Sequence, residues 1–207
     1  MTRHINRFWF LLAMIGILMM GCASKRPLVL LIVRETSDNM TLMIEREVKP
    51  IIQKLTEAGY AVTVASESGT KLKTEKAQLE VKKKLSNIKV KDYVGVVVPC
   101  MAAGGTEKEI PQDAVRIVAD AGKAGLPLAA QQSGVMILSL AGVLAGKDYA
   151  IAEESKDLIS GGNYKGTGVV RDGMVVTSGT CPFIAAEYGM KDGTEELVTS
   201  FISILKK

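Results

Sequence analysis

From residue 28 onward the chain switches repeatedly between continuous apolar runs and stretches whose apolar residues recur every three or four positions. Leu28 to Val33 is apolar throughout, as a strand buried on both faces of a parallel sheet requires. From Thr41 to Ala58, Leu42, Val48, Ile52 and Leu55 fall on one side, which predicts an amphipathic helix with Gly59 as its stop. Pro50 inside that stretch predicts either a kink or a late start. Tyr60 to Ala65 alternates toward a second strand, and Val94 to Val98 reads as another fully buried one. Glu67 to Asp92, between them, is lysine-rich and weakly patterned; Leu79 to Leu85 there reads as an edge strand or a helical turn.

The second half repeats the alternation. Asp113 to Ala124 predicts a helix, Leu126 to Ala130 a short strand, Gly134 to Leu144 an apolar helix and Tyr149 to Ala152 a further strand. Val169 to Val176 predicts a hairpin, because Asp172-Gly173 supplies the positive φ of a tight turn. Glu195 to Leu205 predicts a closing amphipathic helix with Thr194 as its N-cap. Strands and helices alternating over short connections predict an α/β domain: a doubly wound, mostly parallel sheet with helices on both faces. Ligands on such sheets bind at the carboxyl ends of the strands.

The amino terminus does not fit that pattern. Arg3 and Arg7 precede an uncharged apolar run from Phe8 to Met20 that ends in Gly21-Cys22. At about 13 residues the run spans roughly 20 Å as a helix, short of a ~30 Å hydrocarbon core, so it reads as a secretion signal. Met19-Met20-Gly21-Cys22 resembles the lipobox of bacterial lipoproteins, in which the cysteine sulfur receives a diacylglycerol before cleavage. Met19 departs from the usual leucine. The chain is therefore expected to divide into a signal peptide (1–21), a lipidated tether (22–27) and one domain (28–207). Acyl chains on Cys22 would hold that domain at the bacterial cell envelope through membrane lipid, and Ala23 is compatible with outer-membrane sorting in a Gram-negative cell.

Composition narrows the function classes. The 207 residues are 47% hydrophobic and 23% charged, an ordinary globular balance. Loss of residues 1–21 takes Arg3 and Arg7 from 26 basic side chains and leaves all 22 acidic ones, so the remaining chain is close to +2 and has no histidine. Nothing in that charge calls for nucleic acid; Lys82-Lys83-Lys84 is a solvated face or a contact for anionic lipid. With Cys22 lipidated, Cys100 and Cys181 leave only carboxylates as further metal ligands, so neither metal nor cofactor is expected.

Three stretches resemble the DJ-1/PfpI superfamily. Asp92-Tyr93-Val94-Gly95-Val96-Val97-Val98-Pro99 is similar to the strand and proline leading into that family's Pro-Gly-Gly oxyanion loop. Leu128-Ala129-Ala130-Gln131-Gln132-Ser133-Gly134 resembles its strand, nucleophile elbow and helix start. Asp172-Gly173-Met174-Val175-Val176-Thr177-Ser178-Gly179 resembles its late hairpin, and Glu57-Ala58-Gly59-Tyr60-Ala61-Val62 its first helix-to-strand turn. The resemblance implies a flavodoxin-like sheet over nearly all of residues 28–207, with a site around the elbow.

It also implies a degenerate site. Where active members carry the nucleophilic cysteine, this sequence has Gln132, whose amide has no displaceable proton of useful pKa. Ser133 follows it, the family's histidine aligns with Ala152, and its helix glutamate with Glu47, or with Arg46 or Glu45 if the register slips. Pro99-Cys100-Met101 replaces Pro-Gly-Gly. Cys100 and Cys181 fall in loops that the resemblance brings to the elbow, so they are either a disulfide in an oxidising compartment or two separate buried thiols. The expected function is a non-catalytic, membrane-anchored domain that binds an unknown small ligand or serves as a scaffold, with homodimerisation open. The alternative is a cysteine-dependent amidase, peptidase or glyoxalase-like enzyme using Cys100 or Cys181.

Overall fold

The computed structural model describes residues 25–104 and 109–206, so the leader and the lipidation candidate Cys22 lie outside the described residues. A seven-stranded sheet runs in the order Val169–Asp172, Val175–Ser178, Leu128–Gln131, Gly95–Val98, Leu28–Ile32, Ala61–Ser66, Lys83–Lys84. Every pairing is parallel except the hairpin at its edge. The Leu28–Ile32 strand is central, and its side chains point alternately into two cores. Val29 and Leu31 pack with Ile44, Val48, Ile51 and Leu55 and with Leu197 and Phe201 of the last helix. Leu30 and Ile32 pack with Ile117 and Val118 and with Ile137 and Leu138 on the opposite face. This is why the strand is apolar at every position: each buried aliphatic side chain contributes about 1.5–3 kcal/mol whichever face it takes.

The first helical run is continuous from Met40 to Glu57 but changes pitch, with a π-helical stretch at Ile44–Val48 between α-helical Met40–Met43 and Lys49–Glu57. Pro50 lies just after that stretch and neither stops the helix nor delays its start. Proline has no N–H to donate and its ring crowds the carbonyl four residues back; a widened turn relieves both conflicts. Ala58 and Gly59 (φ 94) then close the helix as its pattern requires.

Several expectations need correction. The apolar helix is Gly134–Leu140, not 134–144, because Gly142 and Gly146 take φ 70 and turn the chain. Tyr149 to Ala152 is strand only at Asp148–Tyr149, paired with Asn163–Tyr164. Beyond it the backbone finds separate donors' partners, Ala150 N–H to Thr177 Oγ1 and Ile151 N–H to the Gly166 carbonyl. Thr194 is the first helical residue, not the cap; Gly193 holds the cap position, and the Thr194 hydroxyl instead shares its one proton between Asp192 Oδ1 at 2.6 Å and Gln131 Oε1 at 3.1 Å. The lysine-rich segment forms Lys83–Lys84 as the edge strand, followed by a 3-10 turn at Leu85–Asn87. Among the described residues, no helix is long and apolar enough to cross a membrane.

Candidate functional site

Successive strands leave Leu28–Ile32 in opposite directions, to Ala61–Ser66 on one side and Gly95–Val98 on the other. The loops that follow the central strands therefore diverge and leave a crevice at their carboxyl ends. A cavity of about 690 Å³ opens there. Its walls come from Ser37 and Asn39 after the first strand, Cys100 and Gly104 after Gly95–Val98, and Gln132 and Ser133 after Leu128–Gln131. Its rim carries Glu154 of the 3-10 segment Glu153–Leu158, with Phe183, Glu187 and Tyr188 of the Pro182–Tyr188 helix.

Gln132 sits on a strained elbow. Its φ of 46 is left-handed, a conformation that costs a non-glycine residue roughly 1–2 kcal/mol. The turn is held from both sides: Gln132 N–H donates to the Ser178 carbonyl at 2.7 Å, and Val135 N–H to the Gln132 carbonyl at 2.8 Å. Gly134 completes it by necessity, since a Cβ there would lie 2.2 Å from the Val98 carbonyl oxygen and 2.7 Å from that of Pro99.

The two adjacent glutamines behave differently. Gln131 has a partner at both ends of its amide, donating to the Thr180 carbonyl at 2.8 Å and sharing with Asp192 the one proton of the Thr194 hydroxyl, 3.1 Å from its Oε1. It ties the sheet to the last helix. Gln132 is 4% exposed, its Nε2 reaches Ser155 Oγ at a long 3.4 Å, and its Oε1 is buried with no hydrogen-bond partner. An unpaired buried amide oxygen costs on the order of 1–3 kcal/mol and points to a missing donor.

Glu47 lies wholly buried behind this wall. Its Oε1 accepts from Cys100 N–H at 2.7 Å and its Oε2 from Met101 N–H at 3.2 Å. Those are first-turn donors of the Cys100–Ala103 helix, which Pro99 cannot cap. Glu47 is presented by the π-helical stretch and caps another element's helix. The two backbone donors that the resemblance assigns to an oxyanion are thereby occupied. Burial pushes the Glu47 carboxyl well above its ordinary value, and the nearby Cys100 thiol adds to that.

Cys100 and Cys181 are both free thiols. The hydrogen bond with Cys181, and then burial, push the Cys100 thiol well above its ordinary value, against a smaller opposing contribution from Ser133. Cys100 Sγ lies 3.2 Å from Ser133 Oγ, which donates to the Cys100 carbonyl at 3.1 Å. Cys181 is fully buried under the cavity wall. Ala152 is 1% exposed and packs in the core, so the polar neighbour of Gln132 from that segment is Ser155, three residues on. Sequence reading did not find Ser155 or the rim residues Glu154, Phe183, Glu187 and Tyr188. Proline one residue after Cys181 was the available sign of a helix start there. Among the described residues no group of three or more histidine, cysteine or carboxylate side chains could hold a metal ion.

The fold is shared with solved structures. A ThiJ/PfpI domain protein from Brachyspira murdochii superposes with a TM-score of 0.69 at 15% identity, covering 88% of this chain and 98% of that one. Drosophila melanogaster DJ-1beta gives 0.62 at 22% identity, over 88% and 98% of the two chains. Schizosaccharomyces pombe DJ-1 gives 0.58 at 15% identity, over 83% and 96%. No curated protein matches the sequence significantly. The model of the DJ-1/PfpI family matches residues 29–186. Since that match runs from the central strand through the elbow and into the helix at the cavity rim, stopping short of Glu187 and Tyr188, and covers well over half of the sequence, the chain belongs to the DJ-1/PfpI family.

Proposed function

We propose that this chain is a DJ-1/PfpI domain without the cysteine chemistry of the elbow, tethered to the envelope membrane through Cys22 and binding a small ligand in the cavity around Gln132. The observation that carries the reading is the elbow itself. The strained turn is retained, yet the residue it presents is an amide with an unpaired oxygen, suited to hold a ligand and unable to attack one. The thiol of Cys100, which lines the cavity, is pushed well above its ordinary value by Cys181 and by burial, which disfavours the thiolate a nucleophile needs.

The tether fits this arrangement. The chain enters the domain at Pro27, beside the amino ends of the strands, and the cavity lies at their carboxyl ends. Five residues lie between Cys22 and Leu28, so the two are at most about 20 Å apart in extended chain. A lipid on Cys22 would draw the amino end of the sheet to the membrane and leave the cavity facing away from it.

The test is turnover by the full chain with methylglyoxal and a model peptide as substrates. No activity above the uncatalysed rate is expected. Turnover that disappears in Cys100→Ser or Cys181→Ser would overturn the reading and establish a cysteine enzyme.

A further inference from the structure

We infer that the cavity takes a small aliphatic amine in its protonated form, one end held by the rim carboxylates Glu154 and Glu187 and a second hydrogen-bond donor reaching Gln132 on the floor. The inference rests on the ligand-binding reading above and names the class of ligand.

Three independent features of the cavity converge on that class. Its floor has an acceptor without a donor, since Gln132 is 4% exposed and its Oε1 is unpaired, whereas the neighbouring Ser133 hydroxyl is already spent on the Cys100 carbonyl. A ligand that reaches this oxygen pairs it by bringing an N–H or O–H. The rim is negative: Glu154 and Glu187 are exposed and line the cavity, and among the described residues no lysine or arginine lines it. The lysines nearest in sequence are engaged with other carboxylates, Lys156 with Glu153 at 2.5 Å and Lys191 with Glu196 at 3.7 Å. The two rim carboxylates act at one place, because Glu187 first and then Glu154 raise the Tyr188 phenol above its ordinary value.

Between floor and rim, Met43, Ile184 and the ring of Phe183 form an apolar strip of the wall, beside the polar Ser37 and Asn39. Phe183 and Tyr188 are 39% and 55% exposed at the mouth, where an aromatic face attracts a cation. A donor below, an apolar chain between and a positive charge above describe an aminoalkane. Among the described residues an anion would meet the carboxylates of Asp38, Glu154 and Glu187 and no lysine or arginine, and a purely apolar ligand would leave Gln132 Oε1 unsatisfied.

The test uses three probes of equal length on the detergent-solubilised full chain: 1,5-diaminopentane, pentane-1,5-diol and pentanedioate, titrated by calorimetry. The diamine is expected to bind about tenfold or more tightly than the diol, and the dianion not at all. Replacing the two carboxylates beside Tyr188, Glu154→Gln with Glu187→Gln, should weaken the diamine about fivefold to tenfold and leave the diol unchanged, and raising salt should weaken the diamine alone. Gln132→Leu should weaken diamine and diol alike, since each brings a donor. Equal affinity for diamine and diol, or preference for the dianion, would overturn the amine while leaving a ligand site in place if Gln132→Leu abolishes that binding. Failure of all three probes would overturn the amine and count against the ligand-binding reading as well.

Discussion

At Gln132 the backbone and the side chain make separate claims, and each can be tested alone. Because φ is 46, glycine relieves strain there that alanine keeps. The Gln132→Gly variant is expected to be about 1 kcal/mol more stable than Gln132→Ala in denaturant unfolding, reversing the usual advantage of alanine. The ordinary ranking would show that the elbow is not left-handed. Glu47 makes a claim about pH. Its carboxyl is raised above the ordinary value of 4.5, so the folded state keeps a proton that the unfolded state has lost. Stability from this group is therefore fully present below about pH 4.5 and falls as pH rises toward the folded-state value, by up to about 1.4 kcal/mol per unit. Glu47→Gln, which carries no ionisable proton, should flatten that part of the profile relative to the parent; an unchanged slope would place the ionised carboxylate in the fold.

At the scale of elements, the site depends on how closely the helix after the elbow meets the strand beside it. Gly134 lets the Gly134–Leu140 helix start against the carbonyls of Val98 and Pro99, where an added methyl would have backbone, not a movable side chain, at 2.2 Å. Gly134→Ala should cost about 1–3 kcal/mol and lower Tm by roughly 4–10 °C in a scanning melt. A change under about 2 °C would show that the helix can back away. The first helix shows the other way an element serves the site. Its helical period could be seen in Leu42, Val48, Ile52 and Leu55, and so could its stop at Gly59, because both are local. The widened pitch at Ile44–Val48, which carries Glu47 to the amides of Cys100 and Met101, could not. A change of helix pitch leaves no pattern in side-chain hydrophobicity; it is settled by what the helix packs against.

For the whole molecule the prediction concerns attachment. Cys22→Ser in the full chain should move the protein out of the membrane fraction or leave its leader uncleaved, as fractionation and mass measurement would show. Normal processing with unchanged membrane association would remove the lipid tether from the proposed function. The direction in which the cavity faces depends on that tether, because the sheet is polar: the chain enters at one end of its strands and the cavity opens at the other.

By itself the sequence determined the class of fold and the order of the main strands and helices, and its resemblance to a known family marked the elbow residue. Apolar runs, helical periods and turn residues record burial and backbone geometry locally, and Gln132 stands in a motif whose neighbours are adjacent in the chain. The tertiary structure alone decided what each polar side chain of the site touches. Nothing local distinguishes Gln131 from Gln132, yet one finds partners in Thr180 and Thr194 and the other is left with a buried, unpaired acceptor. Glu47 and Cys100 are 53 residues apart and meet through a hydrogen bond. The acidic and aromatic rim joins Glu154 to Phe183, Glu187 and Tyr188 from segments with weak periodicity of their own. Hydrogen bonds and charge fields act over a few ångströms in space, so partners distant in the chain become visible only when the sheet has brought their loops to the same end.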